Sequence, residues 1–301
     1  MKHVVSVSLG SSKRATYIET ELLGQSLLIE RRATDGNIER AKELVRELDG
    51  KVDAIGLGGI DLYIYAGSKR YVIRDARKIA DEAKKTPVVC GAGLKDSLER
   101  HVVETLGKTV DWSNKRVLMV SAVDRFGMAE ALHEAGARII YGDMMFSLGL
   151  PVPIRSISTT RALARLLLPI ATRLPFTWLY PTGSKQEAVK EDWRSRYYHE
   201  VDVIAGDFLW IKRSLPNRFS GKTILTNTTT AEDIEDLRRR GVKTLITTTP
   251  RYGSRSLSTN LLEAAFVAIA DKFPLSREDY TALIEEAGLE PDVLELNPSF
   301  S

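Results

Sequence analysis

A single cysteine, Cys90, in a chain of 301 residues has no partner for an intramolecular disulfide and cannot build a thiolate zinc cluster. That excludes a secreted disulfide scaffold and fits a reducing cytoplasm, the expected location. Histidine is scarce as well: His3, His101, His133 and His199 stand apart, without the spacing of a metal site, so no metal is expected. An excess of one charge is also missing. The 43 basic and 40 acidic residues leave a net charge of +3, so nothing calls for a nucleic-acid partner. Long apolar runs are absent, and the most hydrophobic stretch, 163–180, is broken by Arg165, Pro169, Arg173 and Pro175, which excludes a membrane span. At the N-terminus, residues 4–9 carry Ser6 and Ser8 and no cleavage pattern follows, so they are read as a first strand rather than a signal peptide.

Strand-like and helix-like runs alternate almost from end to end, the pattern of an α/β protein with largely parallel sheets. Strands are expected at 4–9, 26–31, 54–57 and 87–90, a hairpin across 62–73, and helices at 37–48 and 75–84. Asp96 with Glu99 reads as a capping box opening a helix through Leu106. The polar stretch 107–115 has no periodicity and marks a boundary. An N-terminal α/β domain, 1–110, is therefore expected before a doubly wound, Rossmann-like parallel-sheet domain, 111–301. In that second part strands are expected at 116–120, 138–141, 177–180, 201–205, 223–226 and 244–247, with helices at 126–135, 231–240, 260–270 and from Ser276 to about Gly288.

Doubly wound sheets bind ligands beyond the carboxyl ends of their strands, so the strand ends are the candidate site. The first is Ser121-Ala122-Val123-Asp124-Arg125-Phe126-Gly127, where a dinucleotide fold carries G-x-G-x-x-G. Only the third glycine, Gly127, is present: Ala122 takes the first position and Asp124 the second. A carboxylate at the second position repels a pyrophosphate, and Arg125 can offset it by pairing with a phosphate. Asp143, at the next strand end, stands where an acidic side chain accepts from a ribose hydroxyl and favours NAD over NADP; the other reading is that it only caps the segment that follows. Thr226-Asn227-Thr228-Thr229-Thr230 and Thr247-Thr248-Thr249-Pro250-Arg251 bring hydroxyls, an amide and a guanidinium to the same edge, and Asp207 belongs to the same rim.

Four stretches, Leu57-Gly58-Gly59-Ile60-Asp61-Leu62-Tyr63, Gly93-Leu94-Lys95, Val123-Asp124-Arg125-Phe126-Gly127-Met128-Ala129-Glu130-Ala131 and Ile224-Leu225-Thr226-Asn227-Thr228-Thr229, resemble a bacterial quinate or shikimate dehydrogenase-like family, whose usual catalytic and Gly-rich motifs are not intact here. The resemblance implies hydride transfer from an alcohol carbon to a nicotinamide, with a lysine and an aspartate managing the hydroxyl proton. Lys95 and Asp61, both at ends of expected buried strands, are the candidates for that catalytic pair.

Two functions fit these residues. One is an NAD(P)-dependent oxidoreductase acting on a hydroxyl of a small polyhydroxylated carboxylate, with Ser121, Asp124, Arg125, Phe126, Gly127, Asp143, Asp207, Asn227, Thr228, Thr249 and Arg251 around the cofactor. The other is a non-redox Rossmann-like protein, a sensor or transferase, binding an anionic metabolite or nucleotide. Either way the expected partner is a small anionic metabolite. Arg155, Arg161, Arg165 and Arg173 punctuate an apolar segment read as a helix packing the interdomain cleft or a homodimer interface, with a membrane-surface helix as the lesser alternative.

Overall fold

Val4, Val5 and Val7 leave strand β1 (Lys2–Ser8) with no face that favours water, and a strand of that kind belongs in the middle of a covered sheet. In the computed structural model of the protein, which describes residues 1–12, 16–67, 69–175, 191–249, 251–252 and 255–298, β1 is central. It lies between β3 (Gln25–Ala33) and β4 (Ala54–Gly58), parallel to both. The edges are β2 (Thr16–Leu22), antiparallel to β3 across a tight turn at Leu23 and Gly24, and β7 (Val88–Val89), parallel to β4. Between β4 and β7 the chain makes the expected hairpin, β5 (Tyr63–Ala66) with β6 (Lys69–Val72).

Helix Ile38–Leu48 starts where Asn37 accepts from the Arg40 amide, and it buries Ala41, Leu44, Val45 and Leu48. A second helix, Thr259–Ala270, is apolar nearly all round and packs on β1, β4 and β7. Its approach is close enough that a Cβ on Gly56 would meet the Asn260 carbonyl oxygen at 2.6 Å, so only glycine fits on β4 there. Asn260 Nδ2 also donates to Ser6 Oγ at 2.7 Å, which satisfies a buried amide.

The second sheet has the order β15-β12-β11-β10-β8-β9. Its members are β8 (Arg116–Met119), β9 (Arg138–Tyr141), β10 (Val203–Ala205), β11 (Thr223–Thr226), β12 (Thr244–Thr247) and, after a short pair β13 (Arg251–Tyr252) and β14 (Arg255–Ser256), β15 (Asp292–Glu295). All neighbours are parallel except β15, which runs against β12. The strand expected at 177–180 lies outside the described residues. Since β8 adjoins β9 on one side and β10 on the other, the connections diverge there, and the switch point of this sheet is the carboxyl edge between β8 and β10.

These sheets belong to two compact units. One comprises Met1–Ser97, Arg165–Gln186 and Ser258–Gly288, the other Leu98–Ala164, Glu187–Leu257 and Leu289–Ser301. The expected division at 110/111 falls shortly after helix Ala92–Leu106 has passed from the first unit to the second, and two later segments return to the first. Among the described residues, no helix is long and apolar enough to cross a membrane, and no cluster of three or more His, Cys, Asp or Glu could hold a metal ion.

Candidate functional site

At the switch point of the second unit, the loop after β8 delivers Arg125 to the start of helix Phe126–Glu134. Its guanidinium is only 2 % exposed and pairs with Glu99 through Nη1, with Asp207 Oδ2 at 2.9 Å through Nη2, and with Asp124 Oδ2 at 3.6 Å through Nε. Burial pulls the guanidinium's pKa down, but the charges of Glu99, Asp207 and Asp124 outweigh it and the net shift is upward. Arg125 is therefore an internal cation among carboxylates, not a free clamp for a phosphate.

Asp207 stands at the end of β10 and does three things. Its Oδ1 caps helix Phe208–Arg213 by accepting from the Leu209 amide at 2.9 Å, and its Oδ2 accepts from Arg125 and from Asn227 Nδ2, the latter at 2.9 Å. Asn227, at the end of β11, returns the contact, its Oδ1 accepting from the Phe208 amide at 3.1 Å. Around this chain the Thr226 hydroxyl donates to the Gly206 carbonyl at 2.7 Å and the Thr249 hydroxyl to the Asn227 carbonyl at 3.1 Å. Thr228 is half-buried beside them. Two buried hydroxyls of the same strand ends, Ser121 Oγ and Thr229 Oγ1, make no hydrogen bond. Phe126 and Gly127 are buried helix residues, and the side chain of Arg251, on β13, lies outside the described residues.

Asp143 does not face outward for a ribose. Its carboxylate accepts from the Val123 amide at 2.9 Å and the Ala122 amide at 3.2 Å, the loop amides that a bound pyrophosphate would need. Burial raises its pKa to about 6 against the lowering effect of those two donors, and Asp124 adds to the rise.

The first unit brings Lys95 and Asp61 together, with Lys95 Nζ 3.1 Å from Asp61 Oδ1 and both side chains largely buried. The glycine loop beside them holds a group that sequence reading passed over. Glu263, from helix Thr259–Ala270, accepts from the amides of Gly91 and Gly93, the latter at 3.2 Å, and from the Tyr280 hydroxyl at 2.6 Å. The chain's own carboxylate thus sits at the N-terminus of helix Ala92–Leu106, where a free anion would bind. Burial holds the Glu263 carboxyl above its usual range, and it pushes the Cys90 thiol up to about 12, which leaves that thiol unreactive at neutral pH.

Glu99 was also misplaced by sequence. The helix begins at Ala92, so Asp96 and Glu99 form no capping box; Asp96 pairs with Arg277 at 2.5 Å and Glu99 with Arg125. A glutamate in the middle of a buried helical face was the available signal for a buried cation elsewhere in the chain.

The fold and site define a two-unit α/β protein with a polar rim at a parallel-sheet switch point. The chain belongs to the family described as a domain of unknown function (DUF8754), whose model matches residues 93–296; residues 3–90 match the model of another domain of unknown function (DUF8753). A comparison with curated proteins returns no match. Among solved structures the chain is similar to a sugar ABC transport substrate-binding protein from Bordetella parapertussis, at 12% identity over 100% of this chain and 92% of that one with a TM-score of 0.37. It is similar to the arabinose transporter's periplasmic binding protein from Shewanella sp. ANA-3, at 9% identity, 98% and 92% coverage and a TM-score of 0.36. The anabolic ornithine carbamoyltransferase of Campylobacter jejuni gives 12% identity, 95% and 86% coverage and a TM-score of 0.35.

These findings correct the expected kinship with quinate or shikimate dehydrogenases, and with it the expected hydride transfer and NAD or NADP cofactor. The families whose models match this chain are domains of unknown function, not a dehydrogenase family. The chain itself supplies the physical reason. In place of a glycine loop open to a pyrophosphate it has amides committed to Asp143, a carboxylate at Asp124 and a guanidinium already neutralised by Glu99 and Asp207.

Proposed function

We propose that the protein binds a small polyhydroxylated metabolite at the rim of the second unit, without redox chemistry. The observation that carries this is the hydrogen-bonded chain from Arg125 through Asp207 to Asn227 at the junction of β8 and β10. Carboxylate, amide and hydroxyl groups held rigid by one another recognise ligand hydroxyls in both donor and acceptor senses, and the cost of ordering them is met by the fold before the ligand arrives. A strongly anionic ligand is disfavoured, because the guanidinium that would meet it is shared among three carboxylates. In the first unit, the Lys95 and Asp61 pair offers a donor and an acceptor of the same polar kind.

The test is a thermal-shift and calorimetric panel of neutral monosaccharides, sugar acids, sugar phosphates and NADH. The expected result is stabilisation by a neutral polyol, weakened tenfold or more, about 1.4 kcal/mol, by Asp207→Asn, which keeps a helix-capping side chain but removes the charge. Stabilisation by none of the panel, or an affinity that Asp207→Asn leaves unchanged, would contradict it.

A further inference from the structure

Helix Ile157–Ala171 turns one stripe inward, where Ile157, Thr160, Ala164 and Leu168 are buried, and leaves the opposite stripe in water. On that outer stripe Leu166 and Ile170, one turn apart, are 67% and 64% exposed, and Leu167 beside them is 38% exposed. Arg165 adjoins Leu166 and Arg173 follows the last turn; both are exposed, and neither has an ion-pair partner among the described residues. All five belong to the first unit. Arg161, one turn earlier, differs, because Glu130 draws it inward, with Nε 3.1 Å from Oε1. From Met144 to Pro175 the sequence holds no aspartate or glutamate, so nothing in this stretch offsets Arg165 and Arg173.

We propose that this stripe is a peripheral docking surface for an anionic lipid bilayer. Aliphatic side chains flanked by cations match such a surface in depth: Leu166 and Ile170 enter the acyl boundary, while the long arginine side chains reach back to the phosphates. Charge selects the lipid over a second copy of the chain. A twofold contact through this stripe sets Arg165 and Arg173 of one protomer against those of its partner, with no carboxylate from the stretch between them. An anionic headgroup layer supplies the missing negative charge. The helix lies on the bilayer rather than across it; among the described residues none is long and apolar enough to span one. Docking on lipid does not depend on metabolite binding at the rim.

The test is co-sedimentation of the full chain with vesicles of phosphatidylglycerol and phosphatidylcholine in equal parts, and with phosphatidylcholine alone, at about 0.1 M and about 0.5 M salt. The expected result is binding to the anionic vesicles at the lower salt, weaker by about tenfold or more on phosphatidylcholine alone and at the higher salt. Leu166→Asn with Ile170→Asn should weaken it about tenfold or more by removing the inserted apolar area. Arg165→Gln with Arg173→Gln should weaken it about fivefold for each guanidinium. Arg238→Gln with Arg239→Gln removes the same charge from a helix where Glu235 and Asp236 already pair with it, and should leave binding unchanged. All these side chains are exposed, so the variants keep the wild-type unfolding temperature. The proposal is overturned by no binding to anionic vesicles, by equal loss from the Arg238 and Arg239 pair, or by a concentration-dependent dimer that Leu166→Asn with Ile170→Asn dissociates.

Discussion

Arg125 illustrates how the chemistry of one residue depends on its neighbours. In the sequence it follows a strand and precedes a helix, a position that suits a phosphate clamp; in the fold it is buried against Glu99, Asp207 and Asp124. A buried charge is stable only with its partners in place. Arg125→Leu leaves Glu99, itself only 2 % exposed, as an uncompensated buried carboxylate, and it should cost about 3–5 kcal/mol of unfolding free energy in urea titration. A loss below about 1 kcal/mol would mean that the network contributes little to the fold. The order of residues makes Arg125, Asp207 and Asn227 legible as rim residues, because each follows a strand of strong apolar character. Glu99 could be marked in the sequence only as a glutamate within a buried helical face; its partner, Arg125, lies 26 residues on in the loop after β8 and meets it only in the fold.

At the scale of elements, the periodicity read from sequence locates the central strands and helix Ile38–Leu48 well, because burial on both faces or on one helical stripe leaves a clear apolar pattern. It misses β2, whose TYIETEL lies at the sheet edge and need not be apolar on both faces, and β15, a short edge strand with alternating half-burial. The glycine loop before helix Ala92–Leu106 reads in sequence as an open turn because Glu263 is far away in the chain. The carboxylate of Glu263 ties that helix to Tyr280 of helix Arg277–Glu286. Glu263→Ala leaves the Gly91 and Gly93 amides and the Tyr280 hydroxyl without an acceptor, at about 1–3 kcal/mol each when buried. It should lower stability by about 3 kcal/mol or more in chemical denaturation, with Glu263→Gln recovering most of the loss. Equal stability of the alanine and glutamine variants would show that the shared acceptor is unimportant.

For the whole molecule, the division into units follows packing rather than chain order. Residues 1–110 contain the seven strands found among the described residues of the first unit but not helix Thr259–Ala270, which covers β1, β4 and β7. Expressed alone, that fragment exposes the Asn260-facing side of its sheet and should show no cooperative thermal transition by circular dichroism; a sharp transition would mean that the sheet does not need this helix. The sequence could not disclose this return of the chain, since nothing in 259–270 beyond its all-round apolar character says which sheet it covers. The same limit applies to function. Local residues placed a polar rim at the carboxyl edge, whereas the commitment of Asp143 to the loop amides and of Arg125 to three carboxylates, which removes the dinucleotide reading, exists only in three dimensions. The most direct measurement is the amide chemical-shift map of isotopically labelled protein titrated with neutral monosaccharides and, separately, with NADH. The account predicts shifts grouped at residues 121–125, 206–209 and 226–229 with a monosaccharide and none with NADH; NADH-induced shifts at Ala122 and Val123, or monosaccharide shifts confined to other regions, would contradict it.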